Sequence, residues 1–199
     1  MNIYKITIFL VVYLICSINP AIIICKKKTG EDIRKLGSGN AGTANARRVL
    51  GKPLGTLVIL LDIAKVFVSF YAVSLVGKVF KPDTEETIKS IFIVASVMGH
   101  CFPIYYGFRG GKGVIVGITS AFMIDKKIAL VALIVGLIVI LITRLVSLGT
   151  LSGLGIYVIM TLVMQPVYTF PVIIAAIIVM HRHRANIQRM IARQEDKLW

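Results

Sequence analysis

Acidic residues are scarce in this chain. Nine Asp and Glu stand against 23 Lys and Arg, for a formal net charge of +14. Cysteine is equally sparse: Cys16, Cys25 and Cys101 lie in or beside apolar runs and form no C-x-x-C. An odd number argues against a disulfide framework, and free buried cysteine behaves as a small hydrophobe. Histidine occurs three times. His181 and His183 are two apart, so on a helix they point about 200° apart. No metal-ligand set is legible, and neither a metal nor another cofactor is expected. Internal repeats and low-complexity segments are also missing. A cleaved signal peptide does not fit the start of the chain. The apolar run there is long, no A-x-A site follows it, and Lys26, Lys27 and Lys28 act as a stop-transfer flank. Ile15 is too large to precede a lipoprotein cysteine at Cys16.

What the chain has in abundance is hydrocarbon. Of 199 residues 57% are apolar, and the mean hydropathy is +0.85, too apolar for a soluble domain of this length. Several windows approach or reach the roughly 20 residues needed to cross a bilayer. They read as spans over 6–25, 54–77, 90–108, 112–124, 128–143, 148–164 and 170–182. The expectation is an all-α, polytopic integral membrane helix bundle with about seven transmembrane helices, built as a single membrane domain over 1–199. Five or six crossings remain open if a short span is re-entrant.

Lys and Arg concentrate in cytoplasmic loops. With seven spans, 16 of the 23 cations fall on one side and six on the other, with Lys65 inside a span. The sparser side holds Lys5, Lys78, Lys81, Lys89, Lys126 and Lys127, mixed with Asp83, Glu85, Glu86 and Asp125. The bias places the N-terminus outside and the C-terminus in the cytoplasm.

Three polar segments then fall on the cytoplasmic side. The first, GSGNAGTANARR at 37–48, combines Gly37, Gly39, Ser38, Asn40, Asn45 and Arg48. Glycines let backbone N–H groups form an anion-binding concavity, and Arg48 adds a bidentate grip on phosphate. A solvated basic loop touching acidic headgroups fits it equally well. The second, GHCFPIYYGFRGGKG at 99–113, departs from the nucleotide P-loop: the glycine spacing is one residue short, and Gly113 stands where a hydroxyl should follow Lys112. Bare backbone at Gly110, Gly111 and Gly113 with Arg109 and Lys112 still suits a phosphate. His100, inside the preceding span, fits a satisfied structural group better than a catalyst. The third, HRANIQRMIARQEDKL at 183–198, has the pattern of an amphipathic interfacial helix. His183 and Asn186 share one face of it, a titrating group beside an amide.

Together these segments resemble the bacterial acyl-phosphate:glycerol-3-phosphate acyltransferases, integral membrane enzymes of phospholipid synthesis. The family pattern G-S-G-N-x-G-A-T-N-x-x-R-x-x-G-K is met by Gly37, Ser38, Gly39, Asn40, Gly42, Asn45, Arg48, Gly51 and Lys52. G-H-x-x-P followed by F-K-G-G-K-G is met by Gly99, His100, Pro103, Phe108, Gly110, Gly111, Lys112 and Gly113. H-R-x-N-I-x-R-L-x-x-G-x-E is met by His183, Arg184, Asn186, Ile187, Arg189 and Glu195. Asp62, Lys65 and the SLGT at 147–150, including Ser147, are weaker echoes. The resemblance runs from about residue 13 to 195. Departures are Thr43-Ala44 for Ala-Thr, Asn19 inserted before Pro20, Val66 for glycine, Arg109 for lysine and Arg193 for glycine. The first and last of these leave open a divergent, low-activity paralogue.

The resemblance implies transfer of an acyl group from acyl-phosphate to the 1-hydroxyl of glycerol 3-phosphate, giving lysophosphatidic acid and inorganic phosphate. It implies a cytoplasmic membrane location, with the active site on the cytoplasmic face. The catalytic set it implies is Ser38, Arg48, Lys112, His183 and Asn186. Gly37, Gly39, Asn40, Asn45, Arg109, Gly110, Gly111, Gly113 and Ser147 would contact substrate. The glycine loop at 107–113 is assigned to glycerol 3-phosphate, and Ser38 with Arg48 to the donor. His100, Asp62, Lys65 and Glu195 would be structural. The two substrates and the lipid bilayer are the expected partners. Nucleic acid is not among them, and the oligomeric state is left open, a monomer being compatible. A transporter for an organic phosphate is the competing class, disfavoured because the motifs gather at the rim and a carrier keeps its polar groups near the midplane.

Overall fold

The computed structural model describes residues 3–80 and 85–198. Lys81 and Asp83, expected in an outer loop, lie outside the described residues. Ten α-helices follow in order among the described residues: α1 Ile3–Ser17, α2 Pro20–Thr29, α3 Thr43–Leu50, α4 Lys52–Phe80, α5 Glu85–Cys101, α6 Val114–Ile124, α7 Lys126–Thr143, α8 Val146–Met164, α9 Thr169–Arg182 and α10 Arg184–Ile191. The fold is all-α, a helix bundle built for a membrane.

Of the seven segments expected to cross, five coincide with helices long and apolar enough to do so: Ile3–Thr29, Lys52–Val76, Glu85–Tyr106, Lys126–Thr143 and Val146–Met164. The segment 170–182 belongs to a pair, Pro166–Arg182 and Arg184–Ile191, bent by 60°. The segment 112–124 forms α6, whose 11 residues reach about 16 Å, roughly half the apolar thickness of a bilayer. The amphipathic helix expected over 183–198 is shorter than that. α10 ends at Ile191, and Arg193 turns the chain with φ +56°.

Burial follows the logic of a lipid solvent. Large apolar side chains face outward, among them Tyr71, Ile142, Val163 and Phe170, each at least 67% exposed. Polar groups turn inward, as Asp62, Lys65 and His100 do. One apolar cluster joins α1, α4 and α5 through Ile8, Val12, Val66, Val73 and Phe92. A second joins α5 to α9 through Val97, Ile128, Tyr157 and Val172. Helices α7 and α8 approach closely enough that a Cβ on Gly153 would lie 2.7 Å from the Ala132 carbonyl. Such small-residue contacts let membrane helices pack without a hydrophobic drive between them.

The first span breaks at Asn19. Its Oδ1 accepts from the Ile22 N–H at 3.1 Å, capping α2, and Pro20 takes the first helical turn. Its Nδ2 donates to the Ala41 carbonyl at 3.1 Å. Asn19 therefore ties the helix break to the first polar loop.

Candidate active site

The first loop, 30–42, is pinned from beneath. Asn45 is buried in α3, and its Nδ2 donates to the Ile33 and Leu36 carbonyls at 3.2 and 2.9 Å, while Oδ1 accepts from the Ser38 N–H at 2.9 Å. Asn45 thus shapes the loop with its whole amide, a correction to its expected contact with substrate. Arg34 pairs with Asp32 at 2.7 Å and donates to the carbonyls of Tyr106 (2.7 Å) and Arg109 (3.2 Å), tying the first loop to the second. Gly37 and Gly39 take positive φ, +55° and +71°. Ser38 is left exposed at the tip, with Asn40 behind it. This is not a loose basic loop.

The second loop caps α5. The N–H groups of Gly110 and Gly111 donate at 3.2 Å to the carbonyls of Cys101 and His100, two of the orphan acceptors at that helix end. Arg182 donates from Nε to the Gly111 carbonyl (2.9 Å) and from Nη2 to that of Gly110 (2.6 Å), with its guanidinium over the Phe102 ring. A Cβ on Gly110 would strike the His100 carbonyl, and one on Gly111 the His100 imidazole. Glycine is required here by the protein's own packing, and the expected role of these N–H groups in holding an anion does not survive. The same holds for Ser38 and Gly39, whose N–H groups go to Asn45 and the Leu36 carbonyl. Backbone donors open to an anion include those at the starts of α3 and α6, where no side chain caps the helix. Gly113, at φ +82°, turns the chain into α6.

Beneath both loops lies a buried polar cluster. Lys65 Nζ contacts Asp62 Oδ1 at 2.8 Å and His100 Nδ1 at 3.0 Å, and donates to the Ile18 carbonyl at 2.8 Å. His100 Nδ1 lies 3.5 Å from Asp62 Oδ1. The cluster joins the break after α1 to α4 and α5, directly under Gly111.

The third segment folds back over the same rim. Glu195 Oε1 accepts from Ser147 Oγ (2.6 Å) and Asn186 Nδ2 (2.5 Å), and Oε2 pairs with Arg189 at 2.8 Å. Ser147 is therefore held by Glu195. Arg48, exposed on α3, pairs with Asp196 at 3.2 Å. Burial lowers the Lys112 pKa to about 8; the charge of Glu195 opposes that shift, and those of Arg189, Arg182 and Arg48 add to it. His183 Nδ1 lies 2.8 Å from the Val179 carbonyl, which can only accept, so Nδ1 carries the proton and Nε2 the lone pair. Burial, aided by Lys112 and Arg182, holds its pKa below the usual histidine range. The result is a neutral imidazole beside a lysine in an electropositive rim. Arg109 is exposed on the second loop.

Between α6, α7, α8 and α9 an apolar cavity of about 290 Å³ descends from Gly113 and Gly149 at this rim. An anion-binding rim above a hydrocarbon-lined slot suits a molecule with a phosphate head and an aliphatic tail.

A family model described as glycerol-3-phosphate acyltransferase matches residues 6–193. The chain belongs to that family. A glycerol-3-phosphate acyltransferase of Halalkalibacterium halodurans is 39% identical over 94% of this chain and 91% of its own. One of Francisella tularensis subsp. holarctica is 37% identical over 100% of this chain and 95% of its own. Among solved structures, PlsY (YgiH), an integral membrane glycerol 3-phosphate acyltransferase, matches in its glycerol 3-phosphate form with a TM-score of 0.85, 32% identity, and coverage of 97% of this chain and 94% of that one. Its lysophosphatidic acid form matches with a TM-score of 0.82 and 30% identity over the same shares. Geometry also identifies groups to which motif reading gave no role. Asn19 carries a local signal, an amide one residue before a helix-starting proline. Arg34 and Arg182 act on carbonyls far along the chain and carry none.

Proposed function

We propose that this protein acylates glycerol 3-phosphate at its 1-hydroxyl, with acyl-phosphate as donor, at the cytoplasmic face of a bacterial membrane. The observation that carries the reading is the meeting of Lys112, Arg48 and the open start of α6 with the neutral His183, above an aliphatic cavity. Lys112 and the α6 N–H groups would take the phosphate of glycerol 3-phosphate. Arg48 would exchange Asp196 for the donor's phosphate, with Ser38 beside it, and the acyl chain would enter the cavity.

The donor is a mixed anhydride and needs no further activation. The acceptor hydroxyl attacks the carbonyl, the bond from acyl carbon to phosphate oxygen breaks, and inorganic phosphate leaves with the hydroxyl proton. His183 Nε2 would orient the acceptor by taking a hydrogen bond from its neighbouring 2-hydroxyl, which leaves the 1-hydroxyl proton free to go to the departing phosphate. Asn186 stands one turn on, its Nδ2 already bonded to Glu195. Positioning two bound reactants supplies several kcal/mol of the barrier. No acyl-enzyme is needed. Cys16, Cys25 and Cys101 are buried, and Ser38 has no adjacent base held by a third group.

Purified protein incubated with palmitoyl phosphate and glycerol 3-phosphate should release inorganic phosphate and form lysophosphatidic acid. No release, together with counterflow of glycerol 3-phosphate in liposomes, would make it a carrier. Radiolabelled donor without acceptor should leave denatured protein unlabelled; a label that chases into product on adding acceptor would defeat the direct route.

A further inference from the structure

The apolar cavity has a definite far end. Its walls are traced down α8 by Val146, Gly149, Gly153 and Tyr157, and the last of these lies deepest. Ala121, Ala129 and Val172 from the other helices line the cavity too and belong to the same buried cluster as Tyr157. Those three are small or medium in size, and Tyr157 alone offers a ring. Its side chain is buried, 6% exposed, within the apolar cluster of α5 to α9. Its hydroxyl makes no hydrogen bond of standard geometry among the described residues, with only the Thr161 side chain as a polar neighbour in weaker contact. Burying a phenol without such a bond is unfavourable, and a phenylalanine would fill the space without that cost.

We propose that Tyr157 is the floor of the acyl-chain pocket and sets the length of chain that the protein transfers. The inference rests on the acyltransferase reading above. From Val146 to Tyr157 α8 advances about 16 Å at 1.5 Å per residue. An extended chain advances about 1.2 Å per bond, a third of the rise of an extended peptide residue, so this depth holds roughly 13 methylenes. With the reacting carbonyl above the rim, the fitted chain has roughly 14 to 16 carbons. A longer chain must fold back or displace the ring, and a shorter one leaves the ring uncovered.

The test is competition. Myristoyl, palmitoyl and stearoyl phosphate are mixed in equal amounts in the same micelles with glycerol 3-phosphate, and the products are counted by mass spectrometry. Two methylenes gained by burial are worth about tenfold, so Tyr157→Ala should raise the stearoyl-to-palmitoyl product ratio by about that factor. Tyr157→Trp should move the ratio the other way, toward myristoyl. Tyr157→Phe removes only the hydroxyl and should leave the ratio within about twofold. Should Tyr157→Ala fail to fold, Tyr157→Leu is measured in its place. Active variants with unchanged ratios, or a Phe variant that behaves like Ala, would overturn the proposal. Failure of the donor assignment looks different: no wild-type product from any acyl-phosphate. The same three chain lengths as acyl-CoA then read the floor independently.

Discussion

At the residue scale, the site is governed by two groups whose titration is displaced by where they sit. Lys112 is a partly buried amine among other cations, with its pKa lowered to about 8. The sign follows directly: the ammonium, proposed above to hold a phosphate, is present below that value and is lost as pH rises through it. For the wild type, kcat/KM for glycerol 3-phosphate should therefore fall progressively above pH 8, since this parameter reports the free protein. In Lys112→Arg the guanidinium stays charged, and the decline should move to higher pH. An equally steep fall in the arginine variant would remove Lys112 as its cause. The glycines separate in the same way. A Cβ on Gly107, at φ +63°, meets nothing within 4 Å, so Gly107→Ala should cost only backbone strain, about 1 kcal/mol. A Cβ on Gly111 would meet the His100 ring and lie 2.9 Å from the Ala41 carbonyl. Gly111→Ala should lower stability by about 1–3 kcal/mol and raise KM for both substrates, because both loops must move. A loss confined to glycerol 3-phosphate would mean that the glycine faces ligand after all. Arg193 shows the complementary case. The family pattern has glycine there, and this chain holds an arginine at positive φ, so the departure leaves the turn intact.

At the element scale, the apolar segments and the three motif segments were legible in the sequence, because hydropathy and motif spacing are local signals. The internal ties were not. Whether the N–H of Gly110 faces a phosphate or the end of α5 depends on which carbonyls the folded chain brings near, and no spacing encodes that. Glu195 was expected to anchor the tail, and its bonds to Ser147, Asn186 and Arg189 join α8, α10 and the chain end. Arg182, at the end of α9, has the same kind of role for the second loop. Arg182→Ala should raise KM for glycerol 3-phosphate tenfold or more and change kcat less, as loop order is lost. Arg182→Lys keeps the charge without the fork and should fall between. A lowered unfolding midpoint with both KM values unchanged would reduce Arg182 to a fold residue.

At the scale of the whole molecule, every group assigned to chemistry lies at one end of the bundle, and what sets that end apart is charge. Helix ends and loops there hold Lys26, Lys27, Lys28, Arg34, Arg48, Lys112, Arg182 and Arg189, and the turn between α6 and α7 at the other end holds Asp125 beside Lys126 and Lys127. The proposed reaction, with both phosphate-bearing substrates supplied from the cytosol, would require the cationic end to face it, the orientation that the Lys and Arg bias also predicts. The arrangement is testable without any assay of catalysis. The three native cysteines are buried and can be replaced by alanine or serine to give a silent background. In that background, Lys126→Cys should react with an impermeant thiol reagent applied to intact cells. Lys27→Cys, exposed beyond the core of α2, should react only after the membrane is opened. An odd number of full crossings puts the two chain ends on opposite sides, so Lys5→Cys should label with Lys126→Cys. Should Lys5→Cys instead be protected along with Lys27→Cys, the break at Asn19 would be a re-entrant turn rather than part of a crossing. Should Lys27→Cys be the one that labels from outside, the basic rim would face away from cytosolic phosphates, and the proposed reaction would have no supply of its substrates.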